Sequence, residues 1–213
     1  TDKASSPINL YGASKLLSDK LFISSNTFKG NKKTIFSVVR YGNVFGSRGS
    51  VTRLFLEQRK KNLFSVTNKD MTRFSISLDE AVYFVERCIK IMKGGEIFVP
   101  KIPSYKLMDL VKAFSANPKI KLVGLRPGEK LYEELLNDEE NTTQTYHDKI
   151  LIAKVRDVSF ELVYQSTIEL ENILNTSNDE MQLVSKMKEL VPEYISNNSI
   201  YEKLDASVIS IAK

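Results

Sequence analysis

The chain has no tryptophan, one cysteine and one histidine among its 213 residues. One thiol excludes an internal disulfide. That thiol, Cys88, falls in an apolar helical pattern with Val82, Val85 and Ile89 and reads as buried and unreactive. His147 has no second histidine with which to build a zinc site, so no metal is expected. A hydrolytic Ser-His-Asp triad would have to use it. Its neighbours Thr145, Tyr146, Asp148 and Lys149 read instead as a loop leading to a strand, with the histidine at the surface. There is no run of about eighteen apolar residues, so no membrane span is expected. The chain starts without a basic, then apolar, leader and without Met, so the expectation is a shortened cytoplasmic protein without a signal peptide. Finally, no G-x-G-x-x-G occurs. That turn cradles pyrophosphate in dinucleotide-binding folds, where it follows the first strand.

The composition is that of a globular protein, 42% hydrophobic with 31 basic and 26 acidic side chains, net charge +5. The basic residues are scattered, with small clusters at Lys32-Lys33 and Arg59-Lys60-Lys61. No aromatic-interleaved basic platform or recognition-helix pattern accompanies them, so nucleic acid is not an expected partner. A modest positive surplus suits a diphosphate ligand equally well.

Helical and extended patterns alternate. A helix is expected from Asn9 to about Asn26, a strand over Thr34–Val39, a glycine-punctuated loop at Gly42, Gly46 and Gly49, and a helix from Val51 to about Lys61. Short strands are expected at Leu63–Val66, Phe74–Ile76, Glu96–Val99 and Ile120–Val123. Helices are expected over Leu78–Met92, from a cap at Ser104 to about Ser115, and over Lys130–Leu136. Residues 137–148 read as a polar loop; 160–175 and 179–191 have helical apolar spacing. Such alternation argues an α/β fold with a largely parallel sheet.

Two pairs carry the chemistry. Tyr11 and Lys15, in Tyr-Gly-Ala-Ser-Lys, are four residues apart and share one helix face. A lysine ammonium beside a phenol favours the phenolate, a base suited to an alcohol proton whose carbon loses hydride. An ordinary amphipathic helix can also show this spacing by chance. Upstream, Asp2 and Lys3 are adjacent; alone they could be a solvated loop pair.

Together with Thr1-Asp2-Lys3-Ala4, Pro7-Ile8-Asn9-Leu10-Tyr11-Gly12-Ala13-Ser14-Lys15 and Ser18-Asp19-Lys20-Leu21-Phe22, the segment resembles the active site of extended short-chain dehydrogenases/reductases. Among them it is most similar to the inverting UDP-N-acetylglucosamine 4,6-dehydratases. The resemblance continues through Val39-Arg40-Tyr41-Gly42-Asn43-Val44, Gly46-Ser47-Arg48-Gly49-Ser50-Val51, Met71-Thr72-Arg73-Phe74, Gly95–Ser104 and Arg126-Pro127-Gly128-Glu129-Lys130, and fades after about Val155.

The resemblance implies a Rossmann-like, doubly wound parallel sheet that lacks its N-terminal part, with a smaller C-terminal substrate lobe. Residues 1–155 would combine nucleotide-domain and substrate-lobe parts, and 156–213 would be a helical extension. It implies NADP or NAD as cofactor, a UDP-sugar as substrate, a homo-oligomeric full-length enzyme, and a place in the synthesis of bacterial surface glycans such as pseudaminic acid. Tyr11 and Lys15 would act as base and cofactor contact at C4. Asp2 would be the acid toward the departing C6 hydroxyl, and Lys3 the base at C5 and a substrate contact. Asn43, Gly49, Ser50, Val51, Thr67, Arg126 and Glu129 would bind the sugar nucleotide. Arg73 is taken as structural. One departure is Thr52-Arg53, where the family has an apolar-proline pair, which puts the pocket wall in question. A UDP-sugar 4-epimerase of the same superfamily and an inert sugar-nucleotide-binding fragment are the alternatives.

Overall fold

The computed structural model describes residues 1–136, 142–153, 159–197 and 199–205. Helix α1 (Leu10–Phe28) starts where the Asn9 side chain accepts the Gly12 N–H at 2.8 Å, a side-chain N-cap. Its buried residues recur every three or four positions and define one inward stripe. Strand β1 (Val38–Val39) follows and is shorter than the apolar run suggests. Phe36, just before it, is held by Asn26, whose side chain accepts the Phe36 N–H at 3.0 Å and donates to the Phe36 carbonyl at 2.8 Å; that carbonyl also accepts the Gly95 N–H at 2.8 Å. The Phe36 N–H is thus satisfied by a side chain and not by a neighbouring strand.

Strand β5 (Ile97–Pro100) is central and buried along its whole length. It runs parallel to β1 and antiparallel to β9 (Ile150–Ala153), with β8 (Thr142–Gln144) beyond. Ile97 and Val99 pack toward Ile23 of α1. Phe98 packs toward Phe84 and Cys88 of α3 (Leu78–Ile91). Helices therefore cover both faces of the sheet, which is the Rossmann-like α/β arrangement. A capping box between Ser77 and Glu80 starts α3.

A second lobe pairs β3 (Leu63–Val66) with β7 (Lys119–Leu122) in parallel. Helices α2 (Val51–Arg59) and α4 (Leu107–Phe114) cover it around Phe55, Phe64 and Val111. Between the lobes, β2 (Asn43–Val44) runs parallel to β4 (Thr72–Ile76), which pairs antiparallel with β6 (Ser104–Lys106). Ser104 is thus a strand residue and not a helix cap. Residues 130–136 form no helix either, because β4 claims the Leu131 carbonyl. It accepts from the Thr72 N–H at 3.2 Å and from Arg73 Nη1 at 3.3 Å.

Helices α5 (Phe160–Thr176) and α6 (Glu180–Leu190) lie against α1, where Val163, Leu170, Val184 and Met187 meet Ala13, Leu16 and Leu17. The buried Lys20 of α1 reaches both carboxylate oxygens of Glu193, at 2.9 and 2.8 Å. Cys88 is buried, and burial pushes its thiol pKa up to about 12. His147 sits in the β8–β9 connection, its Nδ1 accepting the Lys149 N–H at 3.2 Å. Of the expected polar loop 137–148, residues 137–141 lie outside the described residues. No described helix is long and apolar enough to cross a membrane, and no group of three or more described His, Cys, Asp or Glu could hold a metal.

Candidate active site

Asp2–Ala4 forms a short 3-10 helix. The Asp2 N–H donates to the Tyr41 carbonyl at 3.2 Å, just beyond the end of β1. This contact fixes the segment to the main sheet. Asp2 is only 2% exposed. Its Oδ1 accepts from the Thr1 hydroxyl at 3.0 Å and from Lys3 Nζ at 3.3 Å. Its Oδ2 is buried without a partner among the described residues. Near the start of this segment in space, Arg40 donates to the Asp19 carboxylate at 2.8 Å in a second buried pair. Such a pair orders its surroundings more than it stabilises them, because desolvation cancels much of the attraction.

The 3-10 helix lies directly on the first turn of α1. Gly12 permits this: a Cβ there would stand 2.6 Å from the Lys3 carbonyl oxygen. Between the two elements, Ser6 adopts the left-handed region at φ 39°, a costly conformation that needs its surroundings to hold it. Helix α1 then presents Tyr11, which is 58% exposed. One turn on, Lys15 Nζ lies 5.1 Å from the Tyr11 ring centroid, within cation–π range.

Tyr11 borders a cavity of about 290 Å³. Lys3, Ile8 and Asn9 line it on the same side; Asn43 of β2 and Arg73 of β4 line it from the sheet. Gly128, Glu129, Lys130 and Glu133 close it opposite. Two cross-links join these sides. Asn9 Nδ2 donates to the Gly128 carbonyl at 3.0 Å, and Lys130 Nζ to the Ser5 carbonyl at 2.6 Å. Burial lowers the Lys130 pKa, against the opposing fields of Glu133, Glu134 and Asp2. Glu129 folds the turn on itself, its carboxylate accepting the Arg126 N–H at 3.0 Å.

The structure therefore gathers Lys3, Tyr11, Asn43 and Glu129 around one space. Asp2 lies behind Lys3, and Lys15 beside Tyr11 but outside the wall. Arg126 is exposed on the first arm of the closing turn. Gly49, Ser50 and Val51 sit at the start of α2, and Thr67 just after β3; none of these four lines the cavity. Ser50 Oγ is buried without a partner among the described residues. The unusual Arg53 is exposed and braces the loop before α2, its Nε donating to the Gly46 carbonyl at 2.7 Å. Sequence reading missed Asn9, Lys130 and Glu133 and set Arg73 aside. Arg73 is largely buried, 3.8 Å from Glu133, and bonds the Thr72 carbonyl at 2.6 Å. Its place in Met-Thr-Arg-Phe was the available signal. Tyr11 and Lys15 stand together on an open helix face, where a cofactor could be received.

A family model described as polysaccharide biosynthesis protein matches residues 1–155. The chain belongs to this polysaccharide biosynthesis family. Among its relatives, the UDP-N-acetylglucosamine 4,6-dehydratase (inverting) of Campylobacter jejuni subsp. jejuni serotype O:2 is 42% identical over 202 residues, covering 90% of this chain and 60% of that protein. The UDP-glucose 4-epimerase of Rickettsia bellii is 44% identical over 145 residues, covering 66% of this chain and 42% of that protein. The X-ray structure of Pen from Bacillus thuringiensis superposes with a TM-score of 0.66 at 38% identity, covering 74% of this chain and 51% of that one. The chain thus spans only part of each relative's length. The match over 90% of the chain extends past residue 155, where the family model stops and where the sequence reading lost the resemblance.

Proposed function

We propose that the chain carries the acid–base machinery of an inverting UDP-N-acetylglucosamine 4,6-dehydratase, a lyase. One observation carries this reading: Lys3 and Tyr11 face the same cavity, and Lys3 is bonded to the buried Asp2. A nicotinamide cofactor, NADP or NAD, would accept hydride from C4 and return it at C6, with C5 then taking a solvent-derived proton on the face opposite to the one it lost. Tyr11 takes the C4 hydroxyl proton, with Lys15 alongside to favour the phenolate and to hold the nicotinamide ribose. Lys3 removes the C5 proton, which the 4-keto group has acidified. Asp2 protonates the C6 hydroxyl as it leaves. The 3.3 Å contact between Lys3 and Asp2 suits this division of labour. Moving one proton along it turns an ion pair into a neutral amine and a neutral acid, the forms that elimination needs.

Binding falls to the rest of the cavity. Asn43 and Glu129 offer an amide and a carboxylate to sugar hydroxyls. Arg126 can fork onto the diphosphate. Gly49, Ser50, Val51 and Thr67 receive the uridine end. In this proposal residues 1–155 combine nucleotide-domain and substrate-lobe parts, and 156–213 extend them. The whole protein is a cytoplasmic homo-oligomer that feeds surface-glycan synthesis.

The 4-epimerase reading draws support from a relative of comparable identity. An epimerase uses Tyr11 and Lys15 but has no task for Asp2 and Lys3, and its match covers less of this chain than the dehydratase does. Product NMR on the whole protein with UDP-N-acetylglucosamine separates them. A 4-keto-6-deoxy sugar inverted at C5 is expected. A C4 epimer that keeps its 6-hydroxyl, with no keto product, overturns the dehydratase reading.

A further inference from the structure

The residues beyond 155 lie outside the matched family model. The described stretch that ends at residue 197 nevertheless touches the backbone of the cavity wall. The Ile195 N–H donates to the Pro7 carbonyl at 3.2 Å, and the Asn197 N–H to the Ile8 carbonyl at 3.3 Å. Alternate amides of one stretch thus hold two successive carbonyls. Ile8 and Asn9, the next residues, line the cavity. Asn9 also caps α1 and bonds the Gly128 carbonyl of the closing turn. A shift of Pro7–Ile8 therefore moves the cavity wall, the start of the Tyr11 helix and its tie to the Arg126–Glu129 turn together.

The stretch making these bonds is itself held from behind. Lys188 is fully buried, its ammonium donating to the Tyr194 carbonyl at 3.2 Å and lying 3.9 Å from the Tyr194 ring centroid. The same ammonium is bonded to the Asp205 carboxylate, which also accepts the Ser196 N–H at 3.3 Å. Lys20 of α1 grips Glu193 just before. Tyr194 and Ser196 point inward, 2% and 6% exposed, whereas Ile195 is 63% exposed and Asn197 is also exposed. The outward side chains bury little, so what Ile195 and Asn197 contribute inward is their amides. A buried lysine with one carboxylate partner is a poor source of net stability. Here it fixes the register of the residues between Glu193 and Asn197.

We propose that residues 194–197 form a clasp that positions the Pro7–Asn9 wall of the sugar-nucleotide cavity, a role resting on the dehydratase reading of that cavity. Residues 194–197 then support the substrate site from outside it. They act through Ile8 and Asn9 and touch no reacting atom.

Proline substitution tests this, because it deletes an amide donor at an exposed position. In the whole protein, Asn197→Pro should raise KM for UDP-N-acetylglucosamine about fivefold, the loss of one ordinary hydrogen bond, with a smaller change in kcat. Ile195→Pro should give the same split, and Asn197→Ala, which keeps the donor, should match wild type. Amide exchange at Gly12 and Ala13, whose N–H groups bond Asn9, should quicken in both proline variants and not in Asn197→Ala. This readout needs no turnover. A wild-type protein inert toward UDP-N-acetylglucosamine sinks the dehydratase reading and leaves the exchange result to judge the clasp. Unchanged KM and unchanged exchange in both proline variants overturn the clasp, as does an Asn197→Ala variant as impaired as Asn197→Pro.

Discussion

Gly12→Ala sets two physical effects against each other. In an exposed helix, replacing glycine by alanine stabilises by about 1 kcal/mol, since alanine restricts the unfolded chain and favours the helix. At Gly12 the new Cβ would stand 2.6 Å from the Lys3 carbonyl oxygen, 0.8 Å short of the 3.4 Å at which ordinary contact begins, and 3.1 Å from Pro7 Cβ. The first obstacle is backbone and cannot rotate away. Forcing extra volume into a packed contact costs about 1–3 kcal/mol. The clash therefore at least cancels the propensity gain, and a net loss of up to about 2 kcal/mol is expected. For a domain of this size that lowers Tm by up to roughly 8 °C.

The same displacement reaches the chemistry. The 3-10 helix must retreat from α1, carrying Lys3 away from the cavity that it shares with Tyr11. A misplacement of about 1 Å can cost about 10²-fold in rate, so kcat should fall at least about tenfold. Ser18→Ala, exposed on the same helix, should leave kcat alone. The assays are a thermal melt and steady-state kinetics on the whole protein. A Gly12→Ala variant that is more stable than wild type and equally active would refute the packing argument.

Two further outcomes follow from the site and the fold. Lys3→Met should abolish solvent deuterium exchange at C5, by roughly 10²–10⁴-fold, while reduced-cofactor absorbance still develops in a single turnover. Tyr11→Phe should prevent that absorbance, and wild-type C5 exchange in Lys3→Met would reassign the base. Glu96 concerns stability. Burial acts to raise its pKa, but the Ser37 hydroxyl and the Lys93 and Gly94 amides hydrogen-bond the carboxylate and bring it below the ordinary 4.5. A group depressed in the folded state contributes stability above its unfolded pKa and loses it as pH falls through the folded one. The stability gap between wild type and Glu96→Gln should therefore be widest near neutral pH and close below about pH 4.5; a gap independent of pH in urea titrations contradicts this.

What could be read from the sequence was local. The Tyr11–Lys15 pair is fixed by helix periodicity, and Asp2–Lys3 by adjacency. The Leu63–Val66 strand and the Leu78–Ile91 helix needed only their own apolar pattern and, for the helix, the Ser77–Glu80 box. The misses share another cause. Thr34–Phe36 has the composition of a strand, yet a side chain ten residues back, Asn26, takes the Phe36 N–H. Lys130–Leu136 has helical spacing, yet β4 takes the Leu131 carbonyl.

The cavity shows the same limit at longer range. Asn9 meets Gly128 across 119 residues, Lys130 meets Ser5 across 125, and Arg73 meets Leu131 across 58. No periodicity encodes such contacts, because each joins segments that only the tertiary fold brings together. Closing a long loop costs entropy that grows only slowly with its length, about 0.6 kcal/mol per doubling, so a cooperative fold can hold such long-range hydrogen bonds. They simply leave no trace in the spacing of residues. Motif membership located Lys130 and Arg73 without assigning them a role, since a motif records which residues recur together and not which backbone they hold. Asn9 shows the consequence. Its Oδ1 caps the helix, as any N-cap position suggests, but its Nδ2 is what ties the Tyr11 helix to the turn that carries Arg126 and Glu129. The first turn of the Tyr11 helix and the Arg126–Glu129 turn are thereby one mechanical unit, and in the proposed dehydratase a substrate gripped at the turn would be referenced directly to Lys3 and Tyr11.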